Sequence, residues 1–311
     1  MKKTTILAAL VIAFMTTACG DKKDKTSENT SEKIEVVHEL DSISVNVNPK
    51  RVVVFDFAAM ETLNELGIKP VGVPAQFVPE HLKHLKADKD IADVGSMFEP
   101  NFEKIYALQP DLIIISARSE KFYKQLSEIA PTIYSQVDNS NYIESFEKVN
   151  TILGKVFNRE NDVQKRIDEL KTSIQNAKEK IGELNQKALV IIYNKGKFSA
   201  YGKGSRFGFI HDVMGVQPID ESLEIATHGQ PVSNEYIESK NPDILFIMDR
   251  SSMVNGIKTD PKEIENALIQ RTNAYKNNKI IYLDPQIWYL SGGGLTSAEQ
   301  MVKDVTTAVL N

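Results

Sequence analysis

Five side chains of this 311-residue chain could hold a ligand: Arg118, Arg206, Arg250, His228 and Tyr289. Arg118 stands in SARSEKFY, Arg206 in GKGSRFG and Arg250 in IMDR, each at or shortly after the end of a strand-like run. A guanidinium is a planar fork that stays charged and donates several hydrogen bonds. Taken singly, each arginine reads as a solvated surface ion pair. His228 lies in THGQ and Tyr289 in QIWYLSGGGL, which also holds the single tryptophan, Trp288. A turn has no need of Trp-Tyr, and a core strand has no use for Gly292, Gly293 and Gly294. A lone histidine is ordinarily a surface residue and a tyrosine after tryptophan ordinarily packs. The question is what Tyr289 is aimed at.

The elements around these residues alternate. RVVVFDF reads as a buried parallel strand, AAMETLNELG as a helix stopped at Gly67, PVGVP as a strand, FEKIYALQ as a helix and PDLIIIS as a strand. Residues 142–186 differ: apolar residues recur at helical spacing without proline, which predicts a helix to Phe157 and a longer one after Asn158. Alternation resumes with ALVIIYN, GFIHDVMG, NPDILFIMD and KIIYLD, and GLTSAEQMVKDVTTAVLN closes the chain as an amphipathic helix. An internal repeat relates NFEKIYALQPDLIIIS to NEYIESKNPDILFIMD, pairing Glu103 with Glu235 and Asp111 with Asp243. The expected fold is therefore α/β. Two Rossmann-like lobes with parallel sheets, 34–141 and 187–311, are joined by a long rigid helical segment, 142–186, with the ligand cleft between them.

A net charge of −5 and pI near 5.7 argue against nucleic acid as a partner. At the N-terminus MKK precedes the apolar run ILAALVIAFM and then TTAC, a signal-peptide pattern over residues 1–18. Cys19, the single cysteine, sits at the cleavage point, as in a lipobox with Thr16 where leucine is more usual. Loss of Lys2 and Lys3 with that segment takes the net charge from −5 to −7. GDKKDKTSENTSEK is polar and free of aromatics, and reads as a flexible tether (19–33 with the lipidated cysteine). A diacylglyceryl cysteine carries enough acyl chain for stable anchoring, so contact with the membrane is expected through the lipid only.

Lipobox, tether, two α/β lobes and a helical connection together resemble the substrate-binding lipoproteins of ABC importers. The class is the one with a helical backbone that serves iron-siderophores, haem and cobalamin. SARSEKFY, GKGSRFGFIHDVMGV, THGQPVSNEYI, NPDILFIMDR and IIYLDPQIWYLSGGGL are similar to its catecholate-siderophore branch, petrobactin-type receptors included. The resemblance implies a monomeric, non-enzymatic receptor on the outer face of the cytoplasmic membrane. It would have no permanently bound cofactor and would pass ferric catecholate siderophore to a permease dimer. Three catecholates around Fe(III) carry a charge of −3, so an acidic protein must supply local positive charge. The resemblance assigns that role to Arg118, Arg206 and Arg250. It makes His228 and Tyr289 iron ligands for a bis-catecholate, which fills four of six iron positions. The three glycines would then let the Tyr289 loop swing. It also makes Glu103 and Glu235 the permease-docking charges. Haem is the alternative ligand, and a lipid-anchored enzyme or adhesin on the same fold the alternative class.

Other motifs carry less. GKGSRFG has the wrong spacing for a dinucleotide loop. His81 and His84 are three apart in EHLKHL, but nothing adjacent completes a metal-ligand set, and a solvated face is expected. No catalytic constellation is evident.

Overall fold

The computed structural model of the protein describes residues 32–226, 228–255 and 258–311. The expected signal peptide, Cys19 and the tether to Ser31 lie outside those residues. Lys33, read above as the end of the tether, instead opens a strand: β1 (Lys33–Val37) forms an antiparallel hairpin with β2 (Ser42–Asn46), and Lys33 pairs with Asn46. Among the described residues no helix is long and apolar enough to cross a membrane.

Short β-branched runs make the first sheet. Its strands are β3 (Val52–Val54), β4 (Gly72–Val73), β5 (Ala92–Asp93), β6 (Leu112–Ile115) and β7 (Thr132–Tyr134). Their order is β5-β4-β3-β6-β7 and every pairing is parallel. Helices cover both faces, so β6 is apolar throughout and its four residues are each 0% exposed. Each such side chain contributes about 1.5–3 kcal/mol by leaving water. The strand order reverses between β3 and β6, and their carboxyl ends carry Asp56 and Arg118. Ligands bind outside such a switch point in open α/β sheets.

The second sheet holds β8 (Lys187–Asn194), β9 (Lys197–Tyr201), β10 (Gln217–Pro218), β11 (Gln230–Val232), β12 (Ile244–Asp249) and β13 (Ile280–Leu283). Its order is β11-β9-β8-β12-β13, with β10 beside the start of β8. This sheet is mixed, not parallel as expected. Lys195 (φ 50°) and Gly196 (φ 82°) make a two-residue left-handed turn that folds β9 back antiparallel on β8, and β11 adds antiparallel to β9.

The connection between the sheets is two helices, Tyr142–Val156 and Glu160–Gly182, with Asn158 at φ 54° between them. The 23-residue helix is about 35 Å long. One apolar face, Val163, Ile167, Leu170, Ile174, Ala177 and Ile181, is buried at helical spacing in a core shared with the final helix, Leu295–Leu310. Arg166 ties the assembly on its outer side through ion pairs with Glu65 of the helix Phe57–Glu65 and with Glu299 of the final helix.

The repeat is structural. Asn101 and Ser233 cap the helices Phe102–Ala107 and Asn234–Lys240 through their side chains. Gln109 and Asn241 leave them with φ near 45° and 49°. Asp111 then accepts the Arg51 N–H at 2.8 Å, and Asp243 the Lys187 N–H at 3.0 Å, each fixing the start of a neighbouring strand.

Candidate functional site

A cleft of about 630 Å³ opens between the two sheets. Arg118, Arg206, Arg250 and Tyr289 all line it, with Asp56, Ser135, Gln136 and Trp288 among the other walls. Each arginine arrives from a different element. Arg118 follows β6, Arg206 sits in the loop after β9, and Arg250 directly follows β12.

Tyr289 is the point on which they converge. Its segment, Gln286–Ser291, is a π-helical turn after β13, a wide turn often found at functional sites. Trp288 is buried in the core shared by the second sheet and the long helix, while Leu290 is buried in the core of the first. The Trp288 indole donates to Asp304 at 2.9 Å. Held on both sides, the residue between them turns its ring to the cleft. The Arg206 guanidinium carbon lies 3.7 Å from the ring centroid, that of Arg118 5.4 Å and that of Arg250 5.9 Å. Arg118 Nη2 donates to the Tyr289 carbonyl at 2.5 Å and Arg206 Nη2 to the same oxygen at 3.3 Å.

The three cations are short of negative partners. Among the described residues none of them forms an ion pair. The Nε of Arg250 is buried with no hydrogen-bond partner, an arrangement that costs free energy until an acceptor arrives. Burial first, and the Arg206 charge second, push the Arg118 guanidinium below its ordinary range. Asp56 forms no ion pair with them, and its charge favours the Arg118 cation only as a lesser effect. Its buried carboxylate caps the helix Phe57–Glu65, accepting the Ala58 and Ala59 N–H groups at 3.2 and 3.3 Å and the Ser135 hydroxyl at 2.7 Å, and burial raises its pKa. A chemical partner for this cleft is a compact polyanion with several acceptor oxygens. In the sequence Asp56 reads as part of the strand-like run RVVVFDF; the structure makes it the cap of the following helix and a wall of the cleft.

Gly292, Gly293 and Gly294 also have a packing role. None has a positive φ, and the backbone is pinned: Tyr142 Oη donates to the Gly292 carbonyl at 2.5 Å and Asn150 Nδ2 to that of Gly293 at 3.3 Å. A Cβ at Gly293 would come 2.7 Å from a Val137 methyl, and one at Gly294 2.7 Å from the Ala58 carbonyl. The glycines let this backbone dock against the first lobe. Beyond them Glu61, 1% exposed, accepts the Ser297 N–H at 2.9 Å and hydroxyl at 2.5 Å.

His228 is not brought to Tyr289. It is exposed, while Ile225 and Ala226 of the same segment reach the cleft wall. Glu103 and Glu235 are exposed in equivalent first turns, and the Ser233 hydroxyl, followed by backbone N–H, holds the Glu235 carboxyl below its ordinary range. The glycine loop GKGSRFG spends its Gly204 N–H on Asp212 at 2.6 Å and serves to mount Arg206. His81 and His84 do not face solvent alone. They bond Glu61 at 2.5 Å and Asn64 at 2.7 Å, fastening their segment to the helix Phe57–Glu65.

Two lobes, a helical connection and a cation-lined cleft make the architecture of a ligand-binding protein, and residues 52–287 match the Periplasmic binding protein family. The chain belongs to that family. It is 46% identical over 312 residues to the petrobactin-binding protein YclQ of Bacillus subtilis, with 98% of each chain covered. The crystal structure of that protein superimposes with a TM-score of 0.87 over 90% of this chain and 99% of the other. The ferric-anguibactin-binding protein FatB of Vibrio anguillarum is 32% identical over 309 residues, 96% of each chain. The siderophore-binding protein BauB, solved with two acinetobactin molecules and ferric iron, matches with a TM-score of 0.83 at 34% identity, covering 89% of this chain and 99% of that one.

Proposed function

We propose that the protein captures a ferric catecholate siderophore in the cleft and delivers it to the permease dimer of an ABC importer. It acts as a monomer held by the lipid on Cys19 at the outer face of the cytoplasmic membrane, without catalysis and without a resident cofactor. The observation that carries this reading is the convergence of Arg118, Arg206 and Arg250, none in an ion pair among the described residues, on Tyr289. Catecholate oxygens around Fe(III) supply the anionic acceptors that these guanidinium groups lack. The likeness to YclQ supports the same ligand class. Glu103 and Glu235, exposed in equivalent places of the two lobes, are the docking charges. A bis-catecholate leaves two iron positions open; Tyr289 fills one from the cleft, and His228 fills the other after local reordering on binding.

Because Trp288 lines the cleft, its fluorescence reports occupancy. Ferric catecholates should quench it saturably, and more tightly than haem or iron-free catecholate. Tighter binding of haem would replace this reading. With a ferric bis-catecholate, the charge-transfer band should shift on binding and return towards that of the solvated complex in His228→Ala and Tyr289→Phe. An unchanged band in all three proteins would remove direct ligation.

A further inference from the structure

Exposed large apolar side chains are common singly, but two of them in the described residues line this cleft. Phe98 is 50% exposed and Ile225 72% exposed, and they come from opposite lobes. Neither belongs to the charge chemistry above.

Each is mounted beside one of the arginines. Phe98 stands in a tight turn closed by Ser96, whose N–H donates to the Glu99 carbonyl at 3.0 Å. The Ser96 hydroxyl accepts the N–H groups of Phe98 at 3.3 Å and Glu99 at 3.0 Å. The preceding residue, Met97, is buried, and its carbonyl accepts the hydroxyl of buried Ser119 at 2.9 Å. Ser119 is the neighbour of Arg118, so one bond couples the Phe98 turn to the Arg118 backbone. On the other lobe Ile225 packs over Gly204. A Cβ at Gly204 would come 2.9 Å from the Ile225 Cδ1. Gly204 lies two residues before Arg206 in the loop that presents it. The pattern is thus repeated across the cleft: on each lobe the segment that presents an arginine is in contact with one that presents an exposed apolar side chain.

We propose that Phe98 and Ile225 form an apolar collar that covers an aryl-bearing anion once the arginines hold it, and so select aryl chelates over non-aryl anions of equal charge. The proposal rests on the siderophore reading above and narrows it to the ligand's rings. Two effects follow. The ring edges of the ligand leave water against Phe98 and Ile225. The same cover keeps water from the guanidinium–oxygen hydrogen bonds, which strengthen as the local dielectric falls. Arginine alone would select charge; the collar selects what surrounds the charge.

Two octahedral trianions separate these contributions: a ferric tris(catecholamide) complex, with aryl rings, and chromium(III) tris(oxalate), with none. Calorimetric titration of the wild-type protein should show clear preference for the first. In Phe98→Ser/Ile225→Ser, affinity for the tris(catecholamide) should drop on the order of tenfold, given partial burial of two apolar side chains. Binding of tris(oxalate) should stay within about twofold on the same grounds. Phe98→Leu/Ile225→Val should restore most of the preference, and thermal melting should confirm that all variants fold. Equal losses for both probes, or no loss for either, would overturn the collar while leaving the arginine site standing. Failure of the wild-type protein to bind the tris(catecholamide) at all would overturn the siderophore reading, and the collar with it.

Discussion

Arg206→Ala, Arg118→Ala and Arg250→Ala should each weaken binding of a ferric tris-catecholate by roughly tenfold or more. A hydrogen bond to a charged group is worth about 1.5–3 kcal/mol, and each guanidinium can offer more than one. Arg206 should be the costliest, because it both stacks on the Tyr289 ring at 3.7 Å and bonds the Tyr289 carbonyl. Arg250 provides the sharper test of mechanism. Its Nε is buried without a hydrogen-bond partner from the protein, so truncation removes an unsatisfied donor. Arg250→Ala should therefore keep or slightly raise the melting temperature of the ligand-free protein while losing affinity. This is the trade of stability for function expected at a site prepared for an absent charge. Wild-type affinity in all three variants, measured by Trp288 quenching, would show that the anion does not sit here.

The second large effect belongs to the partner. Glu103→Ala/Glu235→Ala should bind ferric siderophore in solution as wild type does, yet lose siderophore-dependent iron uptake in cells. The two residues follow the side-chain caps Asn101 and Ser233 in equivalent helices, and both carboxylates are exposed. Charges at a rim govern recognition and association rate more than affinity at a distant site. The single variants should show partial loss. A helix-dipole role alone is worth about 0.3–1 kcal/mol at an exposed first turn, which would change stability slightly and uptake not at all. Normal uptake by a well-expressed double variant would return both glutamates to that helical role.

Much of this was legible in the sequence because it depends on local pattern. The runs VVV and LIII could only be buried strands, and the repeat around Pro110-Asp111 and Pro242-Asp243 marked two equivalent lobes. The arginines were locatable as residues following strand ends, where an open sheet puts its cleft. What escaped depends on partners far away in the chain. Gly293 and Gly294 suggested mobility; their close approach to Ala58 and Val137 is a second reason for glycine that no local window reveals. The antiparallel β9 had a signal, Lys195-Gly196 between two apolar runs, that the expectation of strand–helix alternation overrode. His228 shares a segment with Ile225 and Ala226, but only a three-dimensional path shows that the latter two reach the cleft and the histidine remains in solvent.

The most direct measurement of the central claim is the position of iron in crystals of the protein grown with a ferric tris(catecholamide) complex, located by anomalous scattering. A single iron peak within the cleft, ringed by Arg118, Arg206 and Arg250 and beside the Tyr289 ring, is the expected result. Iron bound elsewhere, for instance in the groove bounded by Lys279, Tyr282 and Asp304 behind the Tyr289 segment, with the arginine cleft empty, would contradict it.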